Sequence, residues 1–274
     1  MTFPGKRGRQ VRAVDGVSYC VHAGQTLAIV GESGSGKTVS CRAFLGLLPP
    51  SADITGTARF LGTQLIGLTD DQLRRHRGAD VAMVFQDPAR SLNPTMRIGS
   101  QIAEAVRAHR SASKAQARQQ AVDLLRQVHM PLPERRCAEY PHQLSGGMRQ
   151  RVMIAIALAC RPKLLIADEA TTALDVTTQA QIMELLLELQ AELGMALVLI
   201  SHDLGLVGSY ADEVIVMYAG KIVEQAPAAR LFTSVRMPYT QALFEAIPRL
   251  ERPCPTCSSR TTWPWSSRSA TGWR

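Results

Sequence analysis

The segment GESGSGKT, from Gly31 to Thr38, combines glycines, hydroxyls and a lysine at the spacing of a phosphate-binding loop. It follows the apolar run Thr26–Val30, which has the length of a buried strand, and it precedes a predicted helix that ends at Pro49. A strand, a glycine loop and a helix in this order form the context that such a loop requires. Glycine permits backbone conformations that turn N–H groups toward an anion. We expect the loop to bind nucleotide phosphates through Gly31, Ser33, Gly34, Ser35, Gly36, Lys37 and Thr38.

Within this loop, two side chains have defined expected roles. Lys37 supplies a fixed positive charge for the β- and γ-phosphates, and Thr38 offers a hydroxyl oxygen to Mg²⁺.

Two adjacent carboxylates, Asp168 and Glu169, follow a second apolar run, Leu164–Ala167. His202 follows a third apolar run, Ala196–Ile200. Open α/β sheets bind ligands beyond the carboxyl ends of their strands, so these side chains are expected to share the pocket of the phosphate loop. We expect Asp168 to reach Mg²⁺ through water, Glu169 to polarise the attacking water, and His202 to contact the γ-phosphate.

A second element with the features of an anion site is QLSGGMRQR, which contains Ser145, Gly146 and Gly147. The glycines let the backbone approach a phosphate, and the helix predicted from Met148 to Cys160 would direct its N-terminal dipole there. A plain helix N-cap with glycines for packing is the alternative interpretation.

Length and composition limit the class of protein. The chain has 274 residues, of which 46% are hydrophobic and 20% charged, which fits one large α/β domain or a domain with an inserted subdomain. Its longest apolar run, Val152–Cys160, is far shorter than the roughly 20 residues of a membrane-spanning helix. No apolar stretch follows the charged start, so no secretory signal is expected.

The net charge of +8 is concentrated in residues 1–12 and 249–274, and the stretch between them is close to neutral. Basic tails are compatible with weak attraction to an anionic membrane surface. The body of the chain does not interleave aromatic with basic residues, so we expect no nucleic-acid partner. The six cysteines are scattered, as reduced thiols of a cytosolic protein are. Cys254 and Cys257 have metal-ligand spacing but no second pair, which argues against a zinc site.

The motifs taken together resemble the nucleotide-binding subunit of an ATP-binding cassette (ABC) transporter, over about residues 13 to 248. The LSGG signature placed shortly before the second acidic motif is the most specific part of the resemblance. In chain order, the matching motifs are Walker A at Gly31–Thr38, the Q-loop glutamine Gln86, the signature Leu144–Gln150, Walker B at Leu164–Asp168, the catalytic Glu169, the D-loop Ala173–Asp175 and the H-loop His202.

The resemblance implies an α/β fold of the P-loop NTPase type over residues 1–250. Its parts are a RecA-like core, an antiparallel β subdomain and an inserted helical signature subdomain at about residues 87–160. Within that subdomain we predict helices near Ile98–His109 and Lys114–Val128. Cys254–Arg274 is dominated by Ser, Thr, Arg and Trp without periodicity and does not resemble the usual C-terminal extension of the branch. We therefore expect residues 251–274 to be a disordered tail or an out-of-frame end.

The resemblance also implies the ligands ATP and Mg²⁺. Glu169, His202 and Gln86 would be catalytic, and Thr38, Gln86 and Asp168 would hold Mg²⁺. In this family two cassettes meet head to tail, so that Ser145, Gly146, Gly147 and Asp175 would contact the ATP held by the partner cassette. An isolated monomer is therefore expected to bind ATP but to hydrolyse it poorly. Phe3 is a weak candidate for the aromatic residue that stacks on adenine.

Two further stretches, Met83–Val106 and Arg236–Leu250, resemble the oligopeptide/dipeptide importer branch, which also includes nickel and glutathione importers. This implies ATP-powered import of peptides or a related small solute by a peripheral subunit at the cytoplasmic face of the cell membrane. The implied partners are two membrane-spanning permease subunits, a second ATPase subunit (a sister or an identical copy) and an extracytoplasmic solute-binding protein. The solute itself contacts other subunits.

The competing hypothesis is a soluble ABC ATPase that acts on DNA or ribosomes. Such proteins usually carry two cassettes in one chain or long coiled-coil insertions, whereas this chain has one cassette and no sustained heptads.

Overall fold

The computed structural model describes residues 1–5, 9–171, 174–231 and 233–245. Their central feature is a six-stranded sheet in the order β10-β9-β3-β8-β7-β6. All neighbouring pairs are parallel except β10 and β9 at one edge. The strands in the described residues are β1 (Thr2–Pro4), β2 (Gln10–Arg12), β3 (Thr26–Val30), β4 (Arg59–Phe60), β5 (Thr63–Gln64), β6 (Val81–Val84), β7 (Leu164–Asp168), β8 (Ala196–Ser201), β9 (Glu213–Tyr218) and β10 (Lys221–Pro227).

Helices cover both faces of this sheet, as parallel sheets require. In the same residues they are α1 (Lys37–Phe44), α2 (Asp70–Arg74), α3 (Pro88–Ser91), α4 (Ile98–His109), α5 (Lys114–Gln127), α6 (Pro133–Cys137), α7 (Gly146–Ala157), α8 (Val176–Leu193), α9 (Leu204–Tyr210), α10 (Ala228–Leu231) and α11 (Pro238–Glu245). A short 3₁₀ turn at Pro141–Gln143 precedes α7. None of the described helices has the length and apolar character needed to cross a bilayer.

The three strands that carry the predicted motifs lie side by side because each is an apolar run that must be buried. Every residue of β3 is buried, and β7 and β8 are buried along almost their whole length. The pairing register places Thr26 opposite Leu197 and Leu164 opposite Ala196, so the three strands end at the same edge.

Two short antiparallel hairpins, β1–β2 and β4–β5, lie outside the main sheet. The long helices between β6 and β7 form a separate layer, in which α4 and α5 pack on each other and on α7. Ser113 begins α5 with a capping box to Gln116. The prediction for α4 is confirmed at both ends, and α5 ends one residue before the predicted Val128.

Two predicted helix boundaries are wrong. The helix after the glycine loop ends at Phe44, not at Pro49, because Gly46 adopts φ +62° and the N–H of Leu47 donates to the carbonyl of Arg42. These features form a C-terminal cap that stops a helix. The helix predicted from Met148 to Cys160 spans Gly146–Ala157 instead, because Ser145 is its N-cap.

Candidate functional site

Three neighbouring strands carry the predicted chemical groups to one edge of the sheet. β8 lies between β3 and β7, and all three are parallel. The glycine loop leaves β3 after Val30, Asp168 is the last residue of β7, and His202 follows β8 directly. The predicted side chains therefore lie together beyond the carboxyl ends of the strands, where open α/β sheets bind ligands.

The course of the loop depends on glycine at two close approaches of the backbone. Gly31 has φ +146°, and a Cβ there would lie 2.2 Å from the carbonyl oxygen of Met217. Gly36 has φ +99°, and a Cβ there would lie 2.5 Å from the carbonyl oxygen of Ala13. A larger residue at either position would have to displace backbone, so the loop keeps this curve only with glycine.

Lys37 holds its ammonium group inside the curve of the loop. The Nζ atom donates hydrogen bonds to the carbonyl oxygens of Gly31 at 2.7 Å and Glu32 at 2.9 Å. Burial lowers the pKa of Lys37, and the nearby carboxylates of Glu169 and Asp168 oppose that shift. Since an ammonium has three N–H donors, these two bonds leave one for an anionic ligand.

Ser35 is buried at 4% exposure, and its hydroxyl has no hydrogen-bond partner among the described residues. Its carbonyl accepts a hydrogen bond from the N–H of Gly220 at 3.0 Å, which ties the loop to the turn between β9 and β10. At Gly34, with φ +82°, an added Cβ would meet nothing within 4 Å, and Ser33 is exposed. The part of the loop at Ser33 and Gly34 is therefore open, as a ligand-binding face must be.

Thr38 and Asp168 meet directly at the base of the loop. The Thr38 hydroxyl donates to Oδ1 of Asp168 at 2.6 Å, and Nη2 of Arg42 donates to Oδ2 at 3.2 Å. Burial raises the pKa of Asp168, whereas the hydrogen bond from Thr38 and the charge of Arg42 act in the opposite direction. The arrangement places two hard oxygen donors side by side, one on α1 and one on β7.

Glu169 brings two other predicted residues together. Its Oε2 accepts a hydrogen bond from Nε2 of Gln86 at 2.6 Å and lies 3.7 Å from Nδ1 of His202. Its backbone has φ +48°, an unusual value for a residue other than glycine, and its N–H donates to the carbonyl of Ile200 at 2.9 Å. The bond to β8 holds this strained backbone, as is common where strain is stored at functional sites.

The second predicted anion element forms the start of α7. The Ser145 side chain accepts a hydrogen bond from the N–H of Met148 at 3.3 Å, and both glycines lie in the first helical turn. Gly147 packs against α8, since a Cβ there would lie 2.6 Å from Cγ2 of Thr178. Asp175 caps α8 and accepts from both the N–H and the hydroxyl of Thr178, and these bonds lower the pKa of Asp175.

These signature residues do not join the phosphate loop of their own chain. Across the described part of the structure, neither Ser145 nor Asp175 makes a hydrogen bond or ion pair with Gly31–Thr38. The chain therefore presents two separate elements that suit an anion.

A sequence model described as ABC transporter matches residues 14–172, more than half of the chain. The chain belongs to the ABC transporter family. Its relatives include the dipeptide transport ATP-binding protein DppD of Escherichia coli (strain K12), which is 55% identical over 89% of this chain and 75% of the relative. The oligopeptide transport ATP-binding protein OppD of Bacillus subtilis (strain 168) is 50% identical over 89% of this chain and 69% of the relative.

Solved structures show the same cassette fold. A dimeric post-hydrolysis state of the ATP-binding cassette MJ0796, bound to ADP and Pi, superposes with a TM-score of 0.73 at 30% identity. The match covers 83% of this chain and 96% of that one. The predicted α/β fold of the P-loop ABC type is confirmed, and this ABC cassette is an ATPase. The alternative of a soluble ATPase acting on DNA or ribosomes is not supported by the matches.

A second sequence model, for the C-terminal region of oligopeptide/dipeptide transporters, matches residues 223–262. This match includes Cys254 and Cys257, so it extends into the segment that we expected to depart from the branch. The disorder that we predict for residues 251–274 concerns residues outside those that the structure describes. Ala173 of the D-loop also lies outside the described residues.

Sequence reasoning missed two residues of this site, Arg42 and Tyr239. Arg42 lies one helical turn after Thr38, so its i+4 spacing on α1 could have indicated a contact with the same carboxylate. Tyr239 lies 207 positions after Glu32, and its hydroxyl accepts a hydrogen bond from the N–H of Glu32 at 3.1 Å. No local sequence pattern signals that contact.

Proposed function

We propose that this ABC cassette hydrolyses ATP to power the import of peptides or a related small solute. The observation that carries the proposal is the match of residues 223–262 to the C-terminal region of oligopeptide/dipeptide transporters. The general ABC match ends at residue 172, so this second match gives information about the branch that the nucleotide motifs do not contain. The names of relatives with 49–55% identity support it.

In this proposal, the loop Gly31–Thr38 holds the phosphates of ATP. Two of the three ammonium N–H groups of Lys37 bond to the loop, and the third suits a phosphate oxygen. The buried hydroxyl of Ser35, which has no partner among the described residues, suits a phosphate oxygen too. Leaving such a hydroxyl unpaired costs free energy, so its position in the loop favours a ligand there.

The residues at the base of the loop fit Mg²⁺. Thr38 and Asp168 offer hydroxyl and carboxylate oxygens, and Mg²⁺ is usually bound by one or two carboxylates together with substrate phosphates. Gln86 gives its amide N–H to Glu169, which leaves its carbonyl oxygen as a third ligand. When bound, Mg²⁺ neutralises charge on the β- and γ-phosphates.

Glu169 is the proposed general base that orients the attacking water. Gln86 and His202 approach the same oxygen, Oε2, so they restrict the direction in which this carboxylate points. His202 keeps its second ring nitrogen for the γ-phosphate in this proposal.

The signature residues Ser145, Gly146 and Gly147, with Asp175, are proposed to act on ATP bound by a second cassette. The support is their separation from the phosphate loop of their own chain, together with the dimeric state of the related cassette MJ0796 in two solved structures. The N-terminus of α7 favours an anion, because its first N–H groups are free of intrahelical partners.

In the proposed assembly, this cassette lies peripherally at the cytoplasmic face of the membrane. Its partners are two membrane-spanning permease subunits and a second ATPase subunit that is a sister or an identical copy. An extracytoplasmic solute-binding protein delivers the solute, and no nucleic acid takes part.

The test is reconstitution of the cassette with its permease subunits, sister ATPase and solute-binding protein in liposomes. We expect ATP-dependent uptake of a labelled dipeptide and stimulation of ATP hydrolysis by the peptide-loaded binding protein. Stimulation by nickel or glutathione but not by peptides would overturn the peptide assignment. Stimulation only by DNA or ribosomes would overturn the transport role.

A further inference from the structure

Helix α11 contacts the Walker A loop through one side chain, Tyr239. The Tyr239 hydroxyl accepts a hydrogen bond from the N–H of Glu32 at 3.1 Å. Its ring lies against Tyr218 at the end of β9, with 4.5 Å between the ring centroids. α11 lies within residues 223–262, so this contact joins the branch-specific region to the nucleotide site.

The start of α11 is fixed by a carboxylate on the edge strand. β10 has an irregular register between Ile222 and Glu224, and the Glu224 side chain is 9% exposed. It accepts hydrogen bonds from the N–H groups of Arg236 at 2.9 Å and Met237 at 3.3 Å. Glu224 therefore fixes the two residues that precede α11 and so sets the place from which Tyr239 reaches the loop.

The peptide unit between Gly31 and Glu32 is bonded at both of its ends. Its N–H, which belongs to Glu32, donates to Tyr239, and its carbonyl, which belongs to Gly31, accepts from Nζ of Lys37 at 2.7 Å. Because a peptide unit is planar, fixing the N–H end also fixes the direction of the carbonyl oxygen. Gly31 provides little resistance to rotation of this plane, so the bond to Tyr239 supplies the restraint.

We propose that Tyr239 is a positioning residue for Lys37. It holds the Gly31–Glu32 peptide plane so that the Gly31 carbonyl keeps the ammonium at the mouth of the loop. Tyr239 plays this role as an acceptor, through the phenol oxygen that bonds to the N–H of Glu32. The role concerns ATP binding and does not depend on which solute is transported.

The main test is the affinity of the isolated cassette for MgATP, measured by calorimetry. Tyr239→Phe removes only the hydroxyl, and we expect affinity to fall about 2- to 10-fold, the scale of one neutral hydrogen bond. In the assembled ATPase, KM should rise while kcat stays near the wild-type value. The matched control is Tyr218→Phe, since the Tyr218 hydroxyl makes no hydrogen bond within the described residues.

The second measurement is hydrogen exchange at the Glu32 amide, followed by NMR without nucleotide. Tyr239→Phe should speed exchange at this amide, and Lys37→Ala should also speed it, because coupling through one peptide unit works in both directions. Unchanged MgATP affinity in Tyr239→Phe would overturn the proposal. An equal loss in Tyr218→Phe would also overturn it, because removal of a hydroxyl that does not bond to the loop would then have the same effect.

Discussion

Glu169, the proposed general base, is held by contacts from two other segments of the chain, one at Gln86 and one at Ile200–His202. Its backbone is bonded to β8, and its Oε2 meets Gln86 and His202. Glu169→Gln keeps the size of the side chain but removes the negative charge that orients water. We expect hydrolysis to fall about 10²-fold or more, the scale of losing a general base, while ATP binding survives.

Turnover of this variant in the assembled transporter and ATP binding by calorimetry give the two readouts. Near-wild-type turnover would contradict the assignment of Glu169 as the base.

Replacement of Lys37 is expected to weaken ATP binding itself, which replacement of Glu169 leaves intact. Lys37→Ala removes the buried ammonium that lies inside the curve of the loop, so the affinity for ATP itself should fall. Calorimetric titration with MgATP measures it, and Glu169→Gln is the natural control because its affinity should persist. Equal affinities in Lys37→Ala and the wild type would mean that this loop is not the primary nucleotide site.

At the scale of single elements, the strands were predictable because each is a short apolar run followed by a chemical motif. β3 matches its prediction, and β7 and β8 each extend one residue further. The start of α7 was harder to predict, because Gly146 and Gly147 are poor helix formers. They are helical here because Ser145 caps the helix and Gly147 packs against α8. Tyr239 escaped prediction because its partner, Glu32, is distant in sequence and no local pattern signals the contact.

Helix α7 ties the signature to the core, and its packing makes a prediction about stability. Ile154 is completely buried, whereas Ile156, on the same helix, is only partly buried. Ile154→Ala should lower the free energy of unfolding by about 2–5 kcal/mol, because it leaves a cavity in a close-packed region. Ile156→Ala should cost clearly less. Denaturant unfolding measures both, and an equal cost would contradict the burial that the fold assigns to them.

At the scale of the whole molecule, the chain has a complete phosphate loop and a signature that, among the described residues, makes no hydrogen bond or ion pair with it. In a head-to-tail pair, site one combines Lys37 of one subunit with the signature of the other, and site two combines the remaining two elements. Gly146 is the better position for a test than Gly147, because an added Cβ meets only Leu174 at 3.5 Å instead of Thr178 at 2.6 Å. Gly146→Asp should therefore leave the subunit's own fold and its ATP binding intact.

The decisive experiment compares two ways of distributing Lys37→Ala and Gly146→Asp over a pair of differently tagged copies, or of this chain and its sister ATPase. Lys37→Ala in one subunit and Gly146→Asp in the other place both lesions in site one and spare site two. Both changes in one subunit place one lesion in each site. Gly146→Asp is a lesion because its carboxylate would face a phosphate, and like charges there are strongly unfavourable. We expect the pair with the changes in different subunits to retain more ATP turnover than the pair with both changes in one subunit, because one intact site hydrolyses ATP alone. Better survival of the same-chain pair would mean that the signature serves the nucleotide of its own subunit.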